Sequence, residues 1–225
     1  MSIKAIIFDM DGTIIDTEHI WEKATQDLIV SKGVAYTPDL HEELRKSLHG
    51  MAMPKSIQLI KDVAQLTDSV EDLMKEKNII ADNLFCKGVR FIQGFEQFHA
   101  LAQQKNLKTA IATNAGDNTL LLVDKTLNLR QFFGEHMYGI SAVNYLCKPD
   151  PAIYLHAAEK LGVDPKECIA IEDSARGIEA AKSAGMFCIG INTSKNKTAI
   201  ETSHHMVDFY HEIELQILLA KKHPF

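Results

Sequence analysis

Several features that define common protein classes are missing from this 225-residue sequence. There is no apolar run long enough to cross a membrane and no charged-then-apolar leader, so we expect neither a membrane-spanning nor a secreted protein. There is no internal repeat and no low-complexity segment. The formal net charge of -6 is opposite in sign to that of a general nucleic-acid binder. We therefore expect neither nucleic acid nor a membrane as a partner.

Cysteine is also scarce, and its spacing does not match a cysteine metal site. Cys168 and Cys188 lie in apolar, strand-like runs, where packing in the core is the expected role. These features predict a reduced, cytoplasmic protein. The apolar fraction of 46% is enough for a sizeable core, in one large domain or in a domain with a smaller companion. The four cysteines are Cys86, Cys147, Cys168 and Cys188.

The first polar motif follows a short apolar run near the start of the sequence. Ala5–Phe8 is apolar and partly β-branched, which predicts a short buried strand. Asp9 and Asp11 come directly after it. Alternate residues of an extended chain share one face, so both carboxylates can lie at the carboxyl end of the strand, where open α/β sheets bind ligands. Gly12 then permits a turn.

Two carboxylates at this spacing suggest catalysis, although the same pattern has simpler explanations. Close carboxylates repel unless a cation lies between them, and with Mg²⁺ one Asp can be a nucleophile and the other a proton donor. Asp-x-Asp-Gly is also common in turns and caps, so a purely structural role for Asp9 and Asp11 stays open at this point. An EF-hand calcium loop does not fit, because Thr13, Ile14 and Ile15 do not match its ligand pattern.

Beyond this motif the hydrophobic pattern changes twice. Residues 17–86 have helical periodicity and predict about four helices. The third is predicted to end at about Leu66, and the fourth is predicted at about 70–85, with Asp68 able to cap it. From Gly94 strands and helices alternate, which predicts a parallel sheet with helices on both faces. We therefore expect an α/β protein with a Rossmann-like core, residues 1–16 and 88–225, and an inserted α-helical cap domain, residues 17–87. The later predicted strands are 109–112, 136–140, 168–171 and 187–191, and the later predicted helices are 95–105, 118–127, 151–161, 174–184 and 211–221.

Two of the loops after the insert carry groups suited to phosphate. Thr113 and Asn114 follow a predicted strand, and a hydroxyl with free backbone N–H groups before a helix can hold phosphate, although a simple helix cap would use the same threonine. Pro149 and Pro151 restrict the backbone around Lys148, which makes it a candidate positive charge for phosphate. The alternative is that Lys148 is a solvated surface lysine.

A third loop carries Glu172 and Asp173 at the end of a predicted buried strand. A helix cap would need only one of these acids, and hard oxygen ligands suit Mg²⁺. Each signal is weak alone. Because the order is Asp-x-Asp, Thr, Lys and Glu-Asp, in the connections of one predicted sheet, the set predicts a nucleophile, an acid–base group, a hydroxyl, a cation and metal ligands.

This set resembles the four motifs of the haloacid dehalogenase-like hydrolase superfamily, in its branch of β-phosphoglucomutase-like sugar-phosphate phosphatases. The resemblance covers essentially the whole chain, and the motifs read FDMDGT from Phe8, ATN from Ala112, KP from Lys148 and IEDS from Ile171. It implies that Asp9 attacks phosphorus and becomes an aspartyl-phosphate, and that Asp11 protonates the leaving alcohol and then activates water.

The same resemblance implies roles for the remaining motif residues. Thr113 and the backbone N–H of Asn114 would hold phosphate oxygens, and Lys148 would neutralise the phosphate and the nucleophile. Mg²⁺ is the implied cofactor. Its implied ligands, partly through water, are Asp9, the carbonyl of Asp11, Glu172 and Asp173.

The predicted cap carries the departures from the mutase pattern. By resemblance, a cap of this kind closes over the substrate and selects the leaving group. Trp21 stands where the mutase has a histidine, and Met53 stands where it has an arginine for a second phosphate, with Lys55 two residues on. We therefore take Glu18, Trp21 and Lys55 as candidates for substrate binding. The alternative for Trp21 is a core anchor between cap helices.

The expected function is that of a monomeric, Mg²⁺-dependent phosphatase that hydrolyses a small phosphorylated metabolite, in particular a sugar phosphate. Asp11 favours this reading because an alcohol leaving group needs a proton donor. A β-phosphoglucomutase-type phosphomutase is the first alternative, and the missing cap arginine argues against it. A non-catalytic phosphometabolite-binding regulatory protein is an alternative of another class. Such a protein is expected to have lost at least one motif position, and none is lost here.

Overall fold

The structure is a computed structural model that describes residues 2–48, 51, 53–195 and 197–215. The chain divides into two compact units, which are Met1–Asp16 together with Val89–Phe225, and Thr17–Gly88. The first unit is therefore interrupted in sequence by the second. Within the described residues, no helix combines the length and the apolar character that crossing a membrane requires.

Helices and strands alternate through the first unit, whereas the second unit contains helices alone among its described elements. The helices are α1 Glu18–Ser31, α2 Pro38–Leu48, α3 Met53–Val63, α4 Val70–Phe85, α5 Phe95–Gln104, α6 Asp117–Leu127, α7 Arg130–Phe133, α8 Ala152–Leu161, α9 Ala175–Ser183 and α10 Lys197–Ile200. The strands are β1 Ala5–Phe8, β2 Lys108–Ala112, β3 Met137–Tyr138, β4 Cys168–Glu172, β5 Phe187–Ile191 and β6 His205–Val207. Short 3-10 helices cover Ile140–Val143, Pro165–Glu167 and Tyr210–Glu212.

The six strands form one parallel sheet in the order β3-β2-β1-β4-β5-β6. β1 lies near the centre, with Ala5 in register with Lys108 of β2 and with Cys168 of β4. Parallel neighbours need long crossover connections, and each connection here contains at least one helix. The predicted α/β class with a Rossmann-like core is confirmed.

Both faces of the sheet are covered, which explains why its central strands lack polar alternation. Every residue of β1, β4 and β5 is buried, as is typical of parallel strands covered on both sides. On one face Ile7 belongs to a core that includes Tyr154 of α8 and Ile178 of α9. On the other face Phe8 contacts the ring of Phe95 from α5, with ring centroids 5.7 Å apart.

The second unit is the predicted helical insert, with α1 packed on α4 and α3 packed on α4. Ser69, and not the predicted Asp68, caps α4, because its side chain accepts a hydrogen bond from the backbone N–H of Asp72. Asp68 instead pairs with Lys32 at 2.7 Å. The residues at the centre of this unit's own core are Leu28, Ile29, Leu44, Ile57, Ile60 and Leu73.

Some elements differ from the sequence prediction. α7, α10 and β6 were not predicted, and β6 has only three residues, of which two are exposed, so no apolar pattern marks it. α3 ends at Val63, before the predicted end at Leu66. The last helix was predicted at 211–221, but the chain forms a 3-10 helix at Tyr210–Glu212, and residues 216–221 lie outside the described residues.

Candidate active site

The predicted site residues of the first unit follow three neighbouring strands. β1 pairs with β2 on one side and with β4 on the other. Asp9 follows β1, Thr113 follows β2, Glu172 is the last residue of β4 and Asp173 comes next. Because these strands run in the same direction, the four residues lie at one edge of the sheet, at the carboxyl ends of the strands. All four are buried, and Glu172 has no exposed surface.

Lys148 joins two of these strand ends through its side chain. Its Nζ atom lies 2.6 Å from Oδ1 of Asp9 and 2.6 Å from Oε1 of Glu172. Lys148 is 3% exposed, so it is not the solvated loop lysine that the sequence left open. Burial alone would lower the pKa of Lys148, but the charges of Asp9 and Glu172 outweigh burial and raise it above its ordinary value. The side chain is therefore a fixed positive charge.

Tyr154 of α8 completes this contact and was not predicted from the sequence. Its hydroxyl donates to Oε1 of Glu172 at 2.7 Å and accepts from Nζ of Lys148 at 3.3 Å. The Lys148 ammonium also lies 4.8 Å from the centroid of the tyrosine ring. Tyr154 sits on the buried side of α8, so its apolar spacing predicts a core residue and gives no sign of the hydroxyl contact.

The backbone of Lys148 is held on both sides. Its N–H donates to Oδ1 of Asn114 at 3.0 Å. Its carbonyl accepts hydrogen bonds from Nε and Nη2 of Arg176, with the Nε contact at 2.9 Å. The side chain of Asn114 thus holds the backbone of Lys148 in place. This contact was not predicted, because the motif resemblance implies a role only for the backbone N–H of Asn114.

Asp9, Glu172 and Asp173 form a buried acidic cluster, with one oxygen of each within 4.8 Å of the others. Burial raises the pKa of Asp9 to about 8, although Lys148 opposes the shift. Burial and the charges of Asp9 and Glu172 raise the pKa of Asp173 well above its ordinary value. One lysine balances only one of three carboxylates, so the donor set fits a divalent cation, which hard oxygen ligands suit.

Gly12 brings the backbone of the first motif directly against this cluster. It adopts a φ of +77°, and a Cβ atom there would lie 2.1 Å from Oδ2 of Asp173. Only glycine fits, for both conformational and steric reasons. Asp11 precedes Gly12 in this turn, and its charge contributes to the raised pKa values of both Asp9 and Asp173.

Thr113 is not the helix cap that its sequence position also allowed. α6 begins at Asp117, and the residue at its N-cap is Gly116. Thr113 is 1% exposed, and its Oγ1 accepts a hydrogen bond from the Ala115 N–H at 3.0 Å. Its hydroxyl is therefore fixed at the strand end, next to a turn with backbone N–H groups.

The candidates in the second unit are arranged differently from the motif residues. Glu18 and Lys55 are exposed, at the start of α1 and on α3. Trp21 is half-buried, and its ring contacts the ring of Phe85 edge-on, with centroids 5.8 Å apart. One part of the Trp21 side chain therefore packs between helices of this unit, and the other part is open to solvent. Nζ of Lys77 lies 5.9 Å from the centroid of the Trp21 ring.

Lys77 was not predicted as a functional residue, although its position among the buried residues of α4 could have indicated it. The buried positions of α4 recur every four residues, and Lys77 occupies one of them. It is 4% exposed, and burial lowers its pKa to about 8. A lysine on an apolar helical stripe that no carboxylate of the described residues neutralises is a candidate for binding a ligand. The stripe consists of Leu73, Lys77, Ala81 and Phe85.

Comparison with known proteins gives consistent matches. The family model for haloacid dehalogenase-like hydrolases matches residues 3–185. A phosphorylated carbohydrates phosphatase from Thermotoga maritima is 32% identical over 184 residues, which are 82% of this chain and 82% of that protein. A beta-phosphoglucomutase from Bacillus subtilis is 29% identical over 84% of this chain and 83% of that protein. A solved hydrolase structure from Entamoeba histolytica (family IA, variant 3) covers 96% of this chain and 98% of its own, with a TM-score of 0.83 at 23% identity.

The family model and the phosphatase relative show that the chain, with its parallel core and acidic strand-end cluster, belongs to the haloacid dehalogenase-like hydrolase family. The solved structure shows a shared fold and no more, because its identity to this chain is low. The family and the phosphatase relative support a phosphoric monoester hydrolase.

Proposed function

We propose that this enzyme is a Mg²⁺-dependent phosphatase that hydrolyses a small phosphorylated carbohydrate through a phosphoryl group carried on Asp9. The observation that carries the proposal is the contact of Lys148 with both Asp9 and Glu172, beside Asp173, at one sheet edge. Phosphoryl transfer needs mainly positioning and neutralisation of charge, and this arrangement supplies both. The phosphatase relative supports the substrate class.

In the proposed first step, a carboxylate oxygen of Asp9 attacks phosphorus and the bond from phosphorus to the leaving oxygen breaks. Asp11 gives its proton to that oxygen, so the leaving group departs as an alcohol. In the second step Asp11 takes a proton from water, whose oxygen attacks phosphorus. Inorganic phosphate leaves and the Asp9 carboxylate is restored. Lys148 keeps Asp9 oriented throughout, because the lysine is itself fixed at its backbone and its ammonium.

The cation site and the phosphate site are assigned from the same contacts. Asp9, Asp173 and the carbonyl of Asp11 would hold Mg²⁺ directly. Glu172 would contribute through water, because both of its oxygens already accept hydrogen bonds within the protein. When bound, Mg²⁺ supplies positive charge to the phosphate and to the crowded carboxylates. The Thr113 hydroxyl and the N–H of Asn114 are assigned to the phosphate oxygens.

The second unit offers a surface suited to a sugar. The ring of Trp21 can pack on the C–H face of a sugar, and the Lys77 ammonium beside it can donate to sugar hydroxyls. We therefore assign Trp21 and Lys77 to substrate binding. Glu18 and Lys55 are both exposed and stay as weaker candidates for the same role.

Hydrolysis of p-nitrophenyl phosphate tests the proposal directly. The wild-type enzyme is expected to be active with Mg²⁺ and inactive in excess EDTA. Asp9→Asn should abolish turnover, because an amide cannot attack phosphorus. Asp39→Asn, which changes an exposed carboxylate of α2, should leave the rate unchanged. Full activity in EDTA, or turnover by Asp9→Asn, contradicts the proposal.

A further inference from the structure

The loop that follows β1 is held by two hydroxyl groups from distant parts of the chain. Oγ1 of Thr193 donates to the carbonyl of Gly12 at 2.6 Å, and the hydroxyl of Tyr210 donates to the carbonyl of Thr13 at 3.0 Å. Thr193 follows β5, and Tyr210 begins the 3-10 helix after β6. The family match ends at residue 185, so both donors lie beyond the part of the chain that the family model covers.

The loop itself is a tight turn. The carbonyl of Met10 accepts the backbone N–H of Ile14 at 2.9 Å and that of Ile15 at 3.1 Å. The N–H of Gly12 donates to the carbonyl of Ile15 at 2.8 Å. Gly12 is therefore held at its N–H from inside the turn and at its carbonyl by Thr193, while its Cα lies against the Asp173 carboxylate.

These two bonds define the orientation of the preceding carbonyl. The Gly12 N–H and the Asp11 carbonyl belong to one planar peptide group, so holding the N–H also orients the carbonyl. The bond from Thr193 holds the next peptide group, and together the two bonds restrict rotation about Gly12, a residue with wide conformational freedom. The hydroxyl of Tyr210 adds a bond one residue further on, from a ring packed against Phe95 and Phe98.

We infer that Thr193 is a positioning residue for the cation site. Its hydroxyl, with that of Tyr210, keeps the Asp11 carbonyl and the Asp173 carboxylate in the arrangement that binds Mg²⁺. This inference rests on the proposed function, from which the Mg²⁺ ligands are taken. Groups that orient metal ligands through hydrogen bonds typically change metal affinity about 10–100-fold when they are removed.

Isothermal titration of Mg²⁺ without substrate tests the inference apart from catalysis. Thr193→Val removes the donor and keeps the branched shape, and we expect it to weaken Mg²⁺ binding about tenfold or more. Thr193→Ser should restore the affinity, and the phosphatase activity of Thr193→Val should recover as Mg²⁺ is raised to saturation. Ser203→Ala removes another hydroxyl-to-carbonyl bond, to His205 at 2.9 Å, and should bind Mg²⁺ like the wild type.

The Mg²⁺ affinity, and not the melting temperature in EDTA, distinguishes positioning of the cation site from simple stabilisation of the fold. If Thr193→Val binds Mg²⁺ with wild-type affinity, with or without a lower melting temperature, its hydroxyl is structural and the inference is wrong. Should that variant not fold, Tyr210→Phe decides in the same way, because it loosens the same loop. If the wild-type protein binds no Mg²⁺, both the proposed cation site and the inference about Thr193 are wrong. If the wild-type protein binds Mg²⁺ and the variants bind it equally well, only the inference about Thr193 is wrong.

Discussion

Asp11 differs from the other carboxylates of the site in its exposure, since it is half-buried whereas Asp9, Glu172 and Asp173 are buried. A proton donor must reach the leaving oxygen, so this exposure suits the proposed role. We expect Asp11→Asn to slow hydrolysis of a sugar phosphate by about 10²–10⁴-fold. Hydrolysis of p-nitrophenyl phosphate should fall much less, because p-nitrophenolate leaves without a proton. Steady-state rates on both substrates measure the difference, and equal losses would rule out the acid–base role.

Lys77 is a residue whose burial opposes stability. Burial lowers the pKa of Lys77 to about 8, whereas a lysine in the unfolded chain has a pKa of about 10.4. The folded state therefore binds the proton of Lys77 more weakly than the unfolded chain does, and at neutral pH the buried ammonium destabilises the fold. We expect Lys77→Met to raise the free energy of unfolding at pH 7, by on the order of 2 kcal/mol. The same variant should raise KM for a sugar phosphate and leave KM for p-nitrophenyl phosphate nearly unchanged.

The pH dependence gives an independent check on Lys77. Between pH 8 and 10.5 the unfolded chain keeps the proton that the folded state has lost, so wild-type stability should rise with pH across this range, and Lys77→Met should lack that rise. Lys75→Met is the matched control, because Lys75 is exposed on the same helix and pairs with Glu71. A destabilised Lys77→Met, or equal KM changes on both substrates, would contradict the role in binding.

Several motif residues could be predicted from sequence because each lies at the end of a strand or directly after it, so that a local pattern gives both the strand and the position of the side chain. Asp9, Thr113 and Glu172 are of this kind. Tyr154 and Thr193 could not be predicted, because their contacts join elements that are distant in the chain and their own surroundings show only a helix face and a strand end.

At the scale of single elements, α5 carries a titratable group inside an aromatic cluster. His99 is 1% exposed, its ring lies 5.1 Å from that of Phe133, and its Nε2 is 3.1 Å from Oγ1 of Thr109. Burial lowers the pKa of His99 to about 4. The unfolded chain therefore takes up a proton below pH 6.5 that the folded state does not, and stability falls as the pH is lowered from about 6.5 towards 4.

Chemical denaturation of wild type and His99→Gln between pH 4.5 and 8 tests this effect of α5, and the range is chosen to span about 6.5, the ordinary histidine value. Glutamine keeps a hydrogen-bonding group near Thr109 but does not titrate. The wild-type free energy of unfolding should lose up to about 3 kcal/mol more than that of the variant as the pH falls through this range. Parallel curves would show that the buried histidine does not contribute.

The accuracy of the predicted elements depended on their length and on the strength of their apolar pattern. β5 and α4 were predicted with the bounds that the structure has, because one is a continuous apolar run and the other has buried residues at regular helical spacing. β6 was missed because its pairing with β5 comes from the fold and not from its own composition. Ser69 caps α4 in place of Asp68 because α4 begins at Val70, which puts Ser69 at the N-cap position, whereas Asp68 pairs with Lys32, 36 positions earlier in the sequence.

At the scale of the whole molecule, the open question is whether water or a sugar hydroxyl receives the phosphoryl group from Asp9. A mutase must hold a sugar phosphate by its distal phosphate, which calls for a fixed cation such as arginine. Met53, at the position where that arginine is expected, is partly buried against the core of the helical unit. Lys55 is exposed, without the fixed geometry of a bidentate arginine. These features favour water.

We therefore expect the enzyme to hydrolyse β-glucose 1-phosphate to glucose and inorganic phosphate, if it accepts this substrate. Incubation with β-glucose 1-phosphate and a trace of glucose 1,6-bisphosphate, followed by phosphorus NMR, distinguishes the two outcomes. Glucose 6-phosphate that appears faster than inorganic phosphate would make the enzyme a mutase. In that case Lys55→Ala should abolish the mutase activity and Lys77→Met should not, because Lys55 is exposed and lies two residues from the arginine position, where it could replace the missing contact to the distal phosphate.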